Sequence, residues 1–265
     1  MHVKKFAPKS PLWLMPALCV AVILSGCQKP HTGADTDPAA GLRQYGYTAA
    51  PVIVAVAQPS PGTVVVTGQA LPDGRVRFLY GQARAVGVTA DSQGRFTAEL
   101  PISGAGGIYD LSMEDGGALQ HAEGRLFVPA GQPTKAVLLR PGAPAAPIAS
   151  HAMGIVAVDY DSAGALGVAG RVAPRAVANL VVNGEVRAQP VSDAAGKYLA
   201  VTQIPQPADT AVSVALSIEA AGAEWKRTIS VSAAADDQES VTAMDGGWRV
   251  DWRIPGGGTQ TTLVF

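Results

Sequence analysis

Shifting the chain against itself by 102 residues superposes positions 53–98 on 155–200 without a gap. Identical pairs include Ile53/Ile155, Val54/Val156, Gly62/Gly164, Gly68/Gly170, Pro72/Pro174, Asp91/Asp193 and Gly94/Gly196, with Phe96/Tyr198 a conservative match. After a three-residue insertion the register resumes, Leu111-Ser112-Met113-Glu114 matching Leu216-Ser217-Ile218-Glu219. A unit of about 100 residues is too long for a solenoid repeat and fits one β-sandwich. The chain must therefore build one architecture twice.

The local pattern selects strands. Val76, Phe78 and Tyr80 alternate with Arg75 and Arg77, and Val212, Val214, Leu216 and Ile218 with Ser213, Ala215 and Ser217, the period of half-buried strands. Turn signals recur at roughly ten-residue spacing: Pro72-Asp73-Gly74, Asp91-Ser92-Gln93-Gly94, Asn183-Gly184 and Asp193-Ala194-Ala195-Gly196. Thirty Gly and twenty Pro oppose long helices, and 48% hydrophobic with 15% charged residues excludes a disordered chain.

Gly68-x-Ala70-x-Pro72, a Val/Phe strand, Ala90-Asp91-x-x-Gly94-x-Phe96 and Leu100-Pro101 together resemble the bacterial immunoglobulin-like domains of surface proteins. They also resemble the carboxypeptidase-regulatory sandwich. The second copy keeps Gly170, Pro174, Asp193, Gly196 and Tyr198, with Ser192 where the first has Ala90. The resemblance implies an all-β chain: two tandem immunoglobulin-like β-sandwiches plus a C-terminal β-hairpin. The expected layout is domain 1 at 51–141, a Pro/Ala linker at 142–150, domain 2 at 151–235 and the hairpin, packing on domain 2, at 236–265. Three prolines in Pro141–Pro147 make the linker a stiff, extended connector.

Lys4, Lys5 and Lys9 precede the apolar run Leu12–Leu24, too short to span a bilayer and laid out as a signal peptide over residues 1–26. The run ends in Leu24-Ser25-Gly26-Cys27, which resembles the lipobox of bacterial lipoproteins. That resemblance implies cleavage before Cys27, transfer of diacylglycerol to its thiol with palmitate among the acyl chains, and an envelope location. Gln28 stands where the family's common inner-membrane retention signal is Asp, which implies the outer membrane rather than the inner. Residues 27–50 read as a flexible tether. An acylated Cys27 leaves no thiol for a disulfide, a metal or catalysis, because Cys19 leaves with the signal peptide.

Charge and motifs bound the function. The net charge is −1, and cleavage removes three lysines and no acid, leaving 17 Lys+Arg against 21 Asp+Glu, or −4. Such a chain has no basic field for nucleic acid. His31, His121 and His151 lie in no zinc-binding spacing, and no nucleophile elbow, phosphate loop or dinucleotide fingerprint occurs, so no catalytic residue, metal or cofactor is expected. Asp91 and Asp193 offer one carboxylate per turn, far short of a calcium shell, and read as turn residues. In Trp248–Ile254, Trp248, Val250, Trp252 and Ile254 share one face, and Thr259–Phe265 reads as a returning strand. The indoles either close the core of the second sandwich or form a platform for sugar rings or a partner. The expectation is a non-catalytic, membrane-anchored envelope protein of structural, adhesion or assembly role, its partner an envelope protein. The alternative is a carbohydrate-binding surface lipoprotein using Trp248 and Trp252 on a glycan.

Overall fold

The computed structural model describes residues 49–81, 84–148, 152–234 and 239–265. Cys27, the signal peptide and nearly all of the tether therefore lie outside the described residues. The first repeat supplies β1 (Val52–Ser60), β2 (Thr63–Gln69), β3 (Arg75–Tyr80), β4 (Arg84–Thr89), β5 (Arg95–Pro101), β6 (Gly106–Asp115) and β7 (Ala118–Pro129), then the short β8 (Val137–Leu139) and β9 (Ala146–Pro147). The second supplies β10 (Gly154–Asp161), β11 (Ala165–Arg171), β12 (Ala178–Val182), β13 (Glu185–Ala188), β14 (Lys197–Gln203), β15 (Val212–Ala220) and β16 (Ala223–Val231). Three further strands follow: β17 (Ser240–Met244), β18 (Gly247–Arg253) and β19 (Thr259–Val264). A single 3₁₀ turn, Pro133–Lys135, is the only helix among the described residues.

Strand order repeats with the sequence. The sheet β1-β2-β5 faces β4-β3-β6-β7 in the first sandwich, and β10-β11-β14 faces β13-β12-β15-β16 in the second. All pairings are antiparallel, so the fold is all-β and of the predicted sandwich kind. Even an irregularity is copied: the register slips between Ile53 and Ala55 in β1 and between Ile155 and Ala157 in β10. Such a bulge re-aims the strand, and its duplication follows from the repeat.

Alternation produces the cores. Val76 and Phe78 are buried, while Arg75 and Arg77 on the opposite face are exposed. Phe78 meets Phe96 edge to face across the first sandwich, ring centroids 6.0 Å apart. In β15, Val214, Leu216 and Ile218 are buried as expected, but Val212, at the strand's start, is exposed.

Two repeated glycines explain themselves by close approach. A side-chain carbon at Gly68 would strike the Phe96 ring and the Val52 carbonyl, and one at Gly170 would strike the equivalent Gly154 carbonyl. Gly94 and Gly196 sit at φ +78° and +81°, each beneath the carbonyl oxygen of Ala70 or Val172. The Gly196→Ala protein is expected to lose about 1–3 kcal/mol of stability, from left-handed strain and this collision. A thermal or urea melt against the wild type measures it.

The aspartates opening these turns act as the sequence predicts. Asp91 Oδ1 accepts the N–H groups of Gln93 and Arg95, each at 2.9 Å, and Asp193 Oδ1 those of Ala195 and Lys197, each at 2.8 Å. Asp161 does the same for Ala163 and Ala165. The Arg95 N–H is the main reason the Asp91 carboxyl titrates below its ordinary value. Turn backbone takes up this oxygen of each carboxylate.

Candidate functional site

The C-terminal segment extends a sheet. β18 and β19 form the expected hairpin across Pro255–Gly258, and β17 adds a third strand on the far side of β18. β19 then lies against β10, pairing Ala157 with Val264 and Tyr160 with Thr261, so that one six-stranded sheet runs β14-β11-β10-β19-β18-β17. The final N–H, of Phe265, donates to the Val156 carbonyl at 2.9 Å.

The middle of this sheet, at β10, β19 and β18, is covered on both faces. Its inner face closes the second sandwich through Val158, Leu166, Val168, Leu263 and Phe265. On its other face, Trp248, Val250, Trp252 and Val264 pack with Ala157 and Ala169 against Phe127, Val137, Leu139 and Ala145 of the first repeat, a third apolar core. Burial on both faces explains why β10 is buried at all but its last residue, where the equivalent β1 is largely exposed.

The two tryptophans thus belong to a seam between the sandwiches. Trp252 is fully buried and donates its indole N–H to Thr262 Oγ1 at 3.0 Å; Trp248 is 8% exposed, with Lys135 Nζ 5.3 Å from its ring centroid. A sugar-stacking platform needs an open ring face, and neither indole has one. The expectation of Trp248 and Trp252 as a glycan platform is corrected accordingly: large aromatic area is taken up by packing between sheets. Their expected burial in the core of the second sandwich is also adjusted, because they face away from it.

Polar groups complete the seam. Asp159 points from β10 into it, 3% exposed, and accepts the Ala145 N–H at 2.7 Å, the Thr262 hydroxyl at 2.5 Å and the Gln260 amide at 3.2 Å. Burial pushes its carboxyl up from 3.8 to about 6, against the pull of those hydrogen bonds and of Arg140. Gln260 spans the same gap, its Oε1 accepting the Gly142 N–H at 3.1 Å. The Arg140 guanidinium donates to the Pro144 carbonyl at 2.9 and 2.7 Å and reaches Glu123 at 2.8 Å. The proline stretch is not the extended connector its composition suggests: it turns at its start, with Gly142 at φ +66° and the Ala143 N–H donating to the Arg140 carbonyl at 3.2 Å, after which Ala146 and Pro147 pair with β8 and Ala145 is buried.

A second polar bridge flanks the first. Arg125 of β7 pairs with Asp110 at 2.7 Å and with Glu239, just ahead of β17. Burial lowers the Arg125 pKa, but the two acids outweigh it and hold the guanidinium above its ordinary value. On the inner face, Arg249 contacts Asp251 at 2.9 Å and Ser232 at 2.8 Å, and Asp251 accepts the Thr261 hydroxyl.

Clefts open among the described residues. The cleft beside Tyr160, about 430 Å³, is lined with hydroxyls from Tyr160, Ser162, Ser232, Thr259 and Thr261 and with Asp161, whose Oδ1 is engaged by its own turn. A groove of about 540 Å³ on the first repeat presents Arg75, Arg77, Glu114 and Leu119 across strand backbone. His121 stands exposed on β7; His31 and His151 lie outside the described residues. Among the described residues no three His, Cys, Asp or Glu side chains gather as metal ligands, and no helix is long and apolar enough to cross a membrane.

Sequence reading missed Asp159, Gln260, Thr262, Arg125 and Glu239. One signal was present: Asp159 interrupts the apolar run Ile155–Tyr160, and a carboxylate there has to find buried donors.

No protein-family model matches the chain, and no curated protein matches it. Among solved structures it is similar to one titled "Biofilm associated protein - BSP domain", at 14% identity and a TM-score of 0.23. That match covers 70% of this chain and 30% of the other, so the chain spans under a third of its length. The fold assignment rests on the strand pairing itself.

Proposed function

We propose that this chain is a non-catalytic lipoprotein of the bacterial cell envelope, anchored at Cys27 in the outer membrane, in which two immunoglobulin-like sandwiches act as a single stiff unit for adhesion or assembly. The observation that carries this reading is the seam. The aromatic pair that offered a ligand platform, together with a buried carboxylate and the half-buried Arg125, is used in joining the sandwiches. A protein that spends its specific side chains on rigidity is suited to holding a surface at a fixed distance and angle. The tether supplies reach, and two or three acyl chains on Cys27 give stable attachment, each buried CH₂ contributing about 0.8 kcal/mol. Recognition falls to the exposed loops and strand edges, through contacts with an envelope protein.

Two experiments test it. An alkyne fatty acid should label the wild type and leave Cys27→Ala unlabelled, with that variant lost from the membrane fraction; undiminished labelling overturns the anchor. Crosslinking in intact cells, followed by purification in mild detergent and mass spectrometry, should recover envelope proteins that disappear with Cys27→Ala. Recovery of the chain with no envelope protein overturns the assembly role.

A further inference from the structure

The two repeats differ at one sheet edge. In the second, the outer edge of β10 is taken by β19, with β18 and β17 beyond it. In the first, the equivalent edge of β1 has no strand beside it among the described residues, and its sheet stops at three strands, β1-β2-β5. Val54 is the counterpart of Val156, whose carbonyl accepts the Phe265 N–H, so its carbonyl faces the open side.

Edge strands are normally blunted by charge, brevity or cover, since a bare row of N–H and C=O groups templates further pairing. The other edges follow that rule. β4, β5, β13, β14 and β16 carry Arg84, Arg95, Glu185, Lys197 and Glu224 among others; β9 has two residues, and the five-residue β17 has Glu239 bonded to Arg125 at its head. β1 has nine residues without a charge, and Val52 and Val54 are each 57% exposed. At its far end Gln58 is engaged by the Gly131 N–H and Pro59 has none to donate, which leaves Val52–Ala57 without a strand on that side among the described residues.

We infer that β1 pairs with β1 of a second copy of this chain, antiparallel about a two-fold axis. The β1-β2-β5 sheet is three strands narrower than the sheet built on β10, and the β1-β2-β5 sheet of another copy supplies three. The joined sheet, β5-β2-β1 continued by its own mirror order, has the six-strand width that the second repeat reaches within one chain. Self-pairing also suits the sequence: an uncharged strand brings no like charges face to face, and Ala55 and Ala57 leave room for the valines of the other copy.

The test is sedimentation of the full chain in non-ionic detergent over a hundredfold range of concentration, with Val54→Lys and Val52→Lys as separate variants. Both positions are exposed, and unchanged thermal midpoints and near-ultraviolet circular dichroism verify folding. The wild type is expected to pass reversibly from one to two copies, and each lysine to raise the midpoint concentration about tenfold or more, because each places a charge on the edge that pairs. A wild type that stays a single copy throughout overturns the inference, whether the edge is empty or serves another protein. A dimer that both lysines leave intact overturns it equally, since it would use another surface.

Discussion

Replacing Trp252 with alanine is expected to destabilise the protein by about 3–5 kcal/mol, the range for removing a fully buried indole. Trp252 has no exposed surface, lies among Phe127, Val137 and Leu139 from the other repeat, and bonds Thr262, which in turn donates to Asp159. Its loss opens a cavity in the seam and frees one end of that hydrogen-bond chain. The damage should fall on the coupling of the sandwiches more than on either alone, because each keeps its own core. Urea unfolding of the wild type is expected as one joint transition, and of Trp252→Ala as two. An unsplit transition with under 1 kcal/mol lost would show that the seam contributes little.

Stability should also fall as pH rises through the Asp159 titration. Its folded pKa, about 6, lies above the ordinary 3.8, so between these values the folded state holds more protons than the unfolded one. Stability then decreases with rising pH, the contribution being complete below about 3.8 and lost by about 6, on the order of 3 kcal/mol in all. Other carboxylates work in the opposite sense: Asp91 and Glu224 titrate below their ordinary values, so their stabilisation is lost on acidification. The readout is therefore the difference between the wild type and Asp159→Asn across this window. The variant should lack the downward slope contributed by Asp159 whatever its absolute stability, and parallel curves would show that Asp159 does not titrate there.

Much of the fold was legible because its determinants are local. The 102-residue repeat required two copies of one topology, period-two alternation placed Val76, Phe78, Val214 and Leu216 in the cores, and the Asp-x-x-Gly turns were recognisable from the side chains that close them. The C-terminal hairpin followed from alternation across Trp248–Ile254 and a Pro-Gly turn. The candidate site was legible only as composition. Two tryptophans in a strand announce a large apolar face, but the same pattern serves a ligand platform, the core of one sandwich or a joint between two.

The sequence by itself determined the strands, their faces, the turns and the duplication, since each depends on neighbours within a few residues or on comparison of one repeat with the other. Only the tertiary structure decided what those faces meet. Placing β19 beside β10, over a hundred residues earlier, turned the indoles toward the first repeat and buried Asp159 against the proline stretch. It also left β1 bare where its twin is covered. Local pattern sets which side of a strand is apolar; the partner that covers it is chosen by contacts between distant segments, which side-chain period does not encode.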